Sequence, residues 1–269
     1  MQIRIGYELT YDLPGPVEGV FLLNVHPSRT PDLMTPDAVV VTPYLPVRFY
    51  NDSFGNICQR LSLPAGRVTL GANAIINDSG LPDIACPDAR QVPLIEVPND
   101  ALIFLLASRY CDTELLSDIA WRTFGHGLSG WSLVQAICDF VHHRIRFNYQ
   151  NARNTRTALE AYNEQTGVCR DFTHLAVALC RCMNIPARYC TGYLGDIGVP
   201  PVPDPMDWSA WFEVYLEGGW YTFDARHNRP RIGRVLMARG RDAADVAIST
   251  TFGPSTLVGF RVDTEERSG

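Results

Sequence analysis

No stretch of the 269-residue chain approaches the roughly 20 consecutive apolar residues that a membrane-spanning helix needs. The amino-terminal run MQIRIGYELTYDL has no continuous apolar segment either. It alternates apolar and polar residues, so it reads as an edge of a sheet rather than a signal peptide, and a cytoplasmic location without membrane contact is the expectation. Basic runs are also missing: 23 basic against 29 acidic residues give a formal net charge of -6. No patch neutralises several phosphates in a row, which argues against nucleic acid as a partner. Internal repeats and low-complexity tracts are absent, and so is any set of ligands at zinc spacing. His142 and His143 are neighbours on a helical pattern and project in different directions, and Cys180-Arg181-Cys182 points its two sulfurs apart. Neither a metal nor a cofactor is expected.

What is present suits a folded protein, with 46% hydrophobic residues. Eight cysteines (Cys58, Cys86, Cys111, Cys138, Cys169, Cys180, Cys182 and Cys190) are scattered through it, several inside apolar periodic patterns. They read as reduced, buried small hydrophobes rather than a disulfide framework. Up to about residue 95, short alternating segments such as IRIGYEL, NICQRLSL and RVTLGANAII lie between Pro, Gly, Asn and Asp clusters. That spacing predicts a small antiparallel sandwich or barrel over residues 1–97. From about Asp100 helical spacing takes over, as in Trp131, Val134, Ile137, Cys138 and Val141. The fold class is therefore α+β, with a second unit over residues 98–269.

Within this second unit, residues 156–164 read as a helix, Gln165-Thr166-Gly167-Val168 breaks it, and Cys169 opens a new helix that Asn184-Ile185-Pro186 stops. Three strands follow: ARYCTGYL, SAWFEVYL and WYTFDAR. The Pro-rich stretch from Gly198 to Pro205 precedes Ser209, where it can serve as a wall or lid. A thiol becomes a useful nucleophile when its pKa falls, and unpaired N–H groups at a helix start supply that. Cys169 occupies such a position, whereas Cys138 and Cys180 lie inside helical stripes. The same N–H groups can stabilise an oxyanion, with the Gln165 side chain as a further candidate donor.

The run TGVCRDFTHLAVALCRCMNIPARYCTGYL, followed by SAWFEVYLEGGWYTFDARHN, resembles the bacterial transglutaminase-like family, whose core is papain-like. The resemblance covers roughly residues 100 to 250, and the strand-rich first part is similar to the domain that often precedes this core. It implies a nucleophile at Cys169 and an orienting carboxylate at Asp224. The histidine of the family falls on Ser209, and a hydroxyl is no base near neutral pH.

Whether another histidine can substitute depends on strand register. A turn over residues 216–219 pairs Tyr215 with Trp220 and sets Asp224 diagonal to Ser209 on one face; a tighter turn moves Asp224 opposite Glu213. His227 has the opposite parity if the strand continues, and escapes that argument if the chain leaves the sheet after Ala225. His174, about 140° round the helix from Cys169, is expected to be structural. Trp208, Trp211 and Tyr193 are candidate groove walls, though aromatics at strand spacing also build cores. Two functions follow. One is cysteine-dependent acyl transfer or hydrolysis on an amide or peptide substrate; the alternative is a protein of the same fold that binds a peptide or protein partner without catalysis.

Overall fold

The computed structural model describes residues 1–202 and 206–267. The alternating segments of the first part become β1 (Gln2–Leu13), β2 (Val17–Phe21), β3 (Val40–Thr42), β4 (Arg48–Asn51), β5 (Ile57–Leu63) and β6 (Gly66–Asn77). Along β1 the side chains of Ile3, Ile5, Tyr7, Leu9, Tyr11 and Leu13 are buried, as expected when every second residue points inward. Next come α1 (Thr113–Phe124), α2 (Gly130–Arg144), β7 (Arg146–Phe147), α3 (Ala158–Glu164), β8 (Thr166–Gly167) and α4 (Cys169–Cys182). The chain then returns to sheet with β9 (Ala187–Tyr193), β10 (Ser209–Leu216), β11 (Gly219–Phe223), β12 (Val235–Gly240), β13 (Ser249–Thr251) and β14 (Thr256–Arg267).

Two four-stranded antiparallel sheets, ordered β14-β1-β6-β3 and β13-β2-β5-β4, form a sandwich. They share one apolar core, to which Ile5 and Leu70 come from the first sheet and Phe21 and Leu61 from the second. The amino-terminal strand is not an edge: β1 is paired along its length by β6 on one side and β14 on the other. Its second neighbour arrives from the far end of the chain, so local alternation carried no sign of it. Residues 249–251 and 256–267 thus belong with the sheets of the first 77 residues. The boundary at residue 97 marks a change in composition, and the chain crosses back over it in space.

A third antiparallel sheet, β11-β10-β9-β12, turns Phe212, Val214 and Leu216 toward Phe172, Leu175 and Leu179 of α4. Every residue of α4 from Asp171 to Cys182 is buried, because α1, α2, α3, β9 and β10 surround it. An apolar stripe alone would leave polar faces wet; here His174 and Arg181 are enclosed and bonded. His174 Nε2 accepts the Ala243 N–H at 3.1 Å, a structural role, and Arg181 donates to the Ala187 carbonyl.

Tyr215 pairs with Trp220, the register of the longer turn, and the ladder closes one further pair at Leu216 and Gly219. Glu217 and Gly218 are left as the turn, with Gly218 at φ +92° and Gly219 at +141°, conformations that only glycine adopts at little cost. The last pair at the other end is Phe212 with Phe223, which leaves Asp224 just past the ladder.

Candidate active site

Cys169 is the first residue of α4, and the chain leading to it is held on both sides. The Asn148 N–H donates to the Gly167 carbonyl at 2.9 Å, and the Arg146 N–H to the Gln165 carbonyl at 3.0 Å. Asp171 accepts the Val168 N–H at 2.8 Å and pairs with buried Arg156 at 3.0 Å, which fixes the helix start. The Asp171 N–H donates to the Val168 carbonyl at 2.8 Å, while the Arg170 N–H of the same first turn, with no helical carbonyl to meet it, is left for the thiol.

Six of the eight cysteines are buried; Cys169 and Cys86 are half-buried. Cys169 opens into a cavity of about 860 Å³. Tyr189, Trp208 and Ser209 wall it from the mixed half, while Leu9 and Tyr11 of β1 and Leu257 and Phe260 of β14 close it from the sandwich. The strand-rich unit therefore shapes this cavity as well as packing on the core. The thiol sulfur lies 4.0 Å from the Trp208 carbonyl oxygen. Burial pushes its pKa up to about 11; Arg226 pulls it down, Asp207 pushes it up, and the Ala210 and Arg170 N–H groups favour the thiolate.

Ser209 is buried and lines this cavity together with a second one of about 160 Å³, and Asp207 and Trp208 do the same. His227 lines the second cavity. The chain leaves the sheet after Phe223 and makes one tight turn, closed by the Asn228 N–H on the Asp224 carbonyl at 2.7 Å. That turn cancels strand parity and carries His227 back over Asp224. His227 Nδ1 lies 2.8 Å from one carboxylate oxygen, and the His227 N–H donates to the other at 3.0 Å. Arg234 adds a bond at 2.9 Å. Burial alone would raise the Asp224 carboxyl, but Arg234 and His227 outweigh it and hold it well below the usual carboxylate range. From α2, His142 Nδ1 reaches the Ala225 carbonyl at 3.1 Å, and Gln135 and Asp139 hold the Asn228 side chain.

Residues 123–225 match the family model of the transglutaminase-like superfamily. They are a transglutaminase-like core. A crystal structure of a candidate cysteine protease from Cytophaga hutchinsonii superposes with a TM-score of 0.85 at 29% identity, over 98% of this chain and 90% of that one. An uncharacterized Mycobacterium leprae protein is 33% identical over 94 residues, a match that spans 34% of this chain and only 33% of that protein. The periplasmic domain of TgpA from Pseudomonas aeruginosa, bound to ethylmercury, is 14% identical with a TM-score of 0.39, over 81% of this chain and 75% of that one.

Cys169, Ser209 and Asp224 all fall inside the transglutaminase-like core, and His227 follows two residues after its matched span. Of the three aromatic candidates, Trp208 lines the Cys169 cavity. Tyr193 lies in the sandwich core against Trp208, with ring centroids 6.2 Å apart. Trp211 faces a different cavity and stacks under Arg234. Gln165 is exposed at the end of α3 in the left-handed conformation, φ +56°, and is not among the residues lining the Cys169 cavity. Of the stretch from Gly198 to Pro205, residues 203–205 lie outside the described residues, while Val199, Pro200 and Val202 wall the His227 cavity. Asp207 and Arg226 act on the thiol, and Tyr189 lines its cavity, without any motif to flag them. The one local sign, for Asp207 and Arg226, was nearness in sequence to positions already singled out, Asp207 before Ser209 and Arg226 before His227.

Proposed function

We propose that the protein carries out cysteine-dependent acyl transfer or hydrolysis on an amide or peptide substrate, through a thioester on Cys169. The observation that carries this reading is the thiol at the start of α4, open to a cavity of about 860 Å³ and met by the Arg170 and Ala210 N–H groups. The likeness to the Cytophaga candidate protease supports it. Attack on a carbonyl needs the thiolate, and a pKa of about 11 leaves little of it at neutral pH. Supply of the thiolate accordingly keeps the enzyme slow near pH 7. The acyl acceptor comes from outside: all 23 basic residues are arginine, and a guanidinium is not an amine nucleophile. Water or an external amine completes the reaction, so the chain does not cross-link to itself through lysine.

Turnover of fluorescently labelled casein by wild type, Cys169→Ala and Ser209→His is the test. Wild type is expected to show slow turnover, and Cys169→Ala none. Ser209→His restores an imidazole at the family position, and gains about 10²-fold or more at pH 7. Turnover unchanged in Cys169→Ala overturns the reading. A binding role is favoured by one observation, the absence of histidine among the described residues lining the Cys169 cavity. It predicts no turnover by wild type at any pH, with casein-derived peptides still bound by Cys169→Ala.

A further inference from the structure

Breaking an amide requires a proton for the departing nitrogen, and the family position for that donor holds Ser209. Among the described residues lining the Cys169 cavity there is one carboxyl group, that of Asp207, and no histidine. Tyr11, Tyr110 and Tyr189 also line it, but burial raises the Tyr11 hydroxyl and pushes that of Tyr189 well above the usual range, while the Tyr110 ring is stacked on His174 with centroids 5.0 Å apart. Arg153 and Arg170 hold their protons too tightly to exchange them. His227 is engaged with Asp224 and faces the neighbouring cavity.

Asp207 stands one residue before Trp208, whose carbonyl oxygen is 4.0 Å from the thiol. One of its oxygens accepts the Trp208 N–H at 2.6 Å. No other hydrogen bond and no ion pair engages Asp207 among the described residues, so its second oxygen is free for a substrate. We propose that Asp207 replaces the absent imidazole as the proton donor to the leaving nitrogen and, in the second half of the reaction, as the proton acceptor from water. This rests on the acyl-transfer reading above. Burial raises the Asp207 carboxyl above the usual range, against the pull of the Trp208 N–H and Arg226, which suits a group that must spend part of its time protonated.

In the reactive form Cys169 is the thiolate and the Asp207 carboxyl carries a proton. Sulfur adds to the carbonyl carbon and the carbonyl electron pair moves to oxygen. On collapse the C–N bond breaks, nitrogen keeps that pair and takes the Asp207 proton, and a thioester and free amine result. Water then adds to the thioester while giving a proton to the Asp207 carboxylate. The C–S bond breaks, the acid is released, and the thiolate beside the protonated carboxyl returns.

A p-nitrophenyl ester loses a stable phenolate and needs no proton donor, whereas a peptide amide does. Comparing p-nitrophenyl acetate with labelled casein therefore isolates this role in Asp207→Asn. Casein turnover should fall about 100-fold. Acylation of Cys169 by the ester should speed up, because a negative charge that opposes thiolate formation is gone. Asp207→Glu, which keeps an acid, should recover part of the casein activity. Equal slowing of ester and casein in Asp207→Asn means a structural role and overturns the proposal. So does casein turnover retained in Asp207→Asn while Cys169→Ala is inactive, an outcome that leaves the acyl-transfer reading standing. A wild type that neither acylates with the ester nor turns over casein overturns both.

Discussion

At Asp224, three hydrogen bonds converge on a buried carboxylate: two from His227 and one from Arg234, itself shared with Asp83. The resemblance gives this carboxylate the task of orienting a histidine at position 209, and with serine there it instead organises the turn after β11. Its depressed pKa stabilises the fold fully above the ordinary aspartate value of about 4, and the contribution disappears as pH falls toward the lower folded value. Asp224→Ala leaves Arg234 buried with one fewer partner and should cost about 3–5 kcal/mol in urea unfolding at pH 7. The gap between wild type and variant should narrow below about pH 4 as the carboxyl is protonated. Equal midpoints at pH 7 would show that the cluster adds nothing to stability.

An element such as α4 aims its first residue only if its start cannot slide. The start is set by Asp171, which caps the Val168 N–H, and by the close passage of Gly167. A Cβ at Gly167 would lie 2.6 Å from the Asp171 Cβ, and Asp171 has no room to retreat because it is buried against Arg156. Gly167→Ala is expected to destabilise the protein by about 1–3 kcal/mol through overpacking. It should also change iodoacetamide labelling of Cys169 while leaving Cys86, the other half-buried thiol, as in wild type. Unchanged labelling at both sites would detach the Gly167 contact from the position of the thiol.

The molecule as a whole is closed by its last strand. β14 covers one side of β1 from Gln2 to Asp12, buries Val262 and Thr264, and supplies Leu257 and Phe260 to the Cys169 cavity. Deleting residues 256–269 should leave β1 with a long unpaired edge, a template for intermolecular pairing. Size-exclusion chromatography should then show aggregated protein, and limited proteolysis should cut within residues 2–13. A truncated chain that elutes like wild type and melts at the same temperature would mean that β14 is dispensable. The cavity thus depends on chain segments from both ends and the middle.

The local rules were enough for several features. Alternation announced the strands of the first 77 residues, the break before Cys169 announced the helix start, and the turn glycines were compatible with the register that pairs Tyr215 with Trp220. These are properties of neighbouring residues, which backbone geometry converts directly into shape. The sequence alone also determined that position 209 holds a hydroxyl instead of an imidazole. Tertiary structure decided what local pattern does not encode: that β1 is an inner strand, that β12 and β14 complete their sheets, and that α4 is enclosed on every side. It also decided that one turn after β11 commits His227 to Asp224, and that Asp207 lies in the cavity of the thiol. These depend on contacts between segments far apart in the chain, whose energies are collected only when the sheets and helices have packed; even the short turn that carries His227 is pinned by His142, Gln135 and Asp139 of α2.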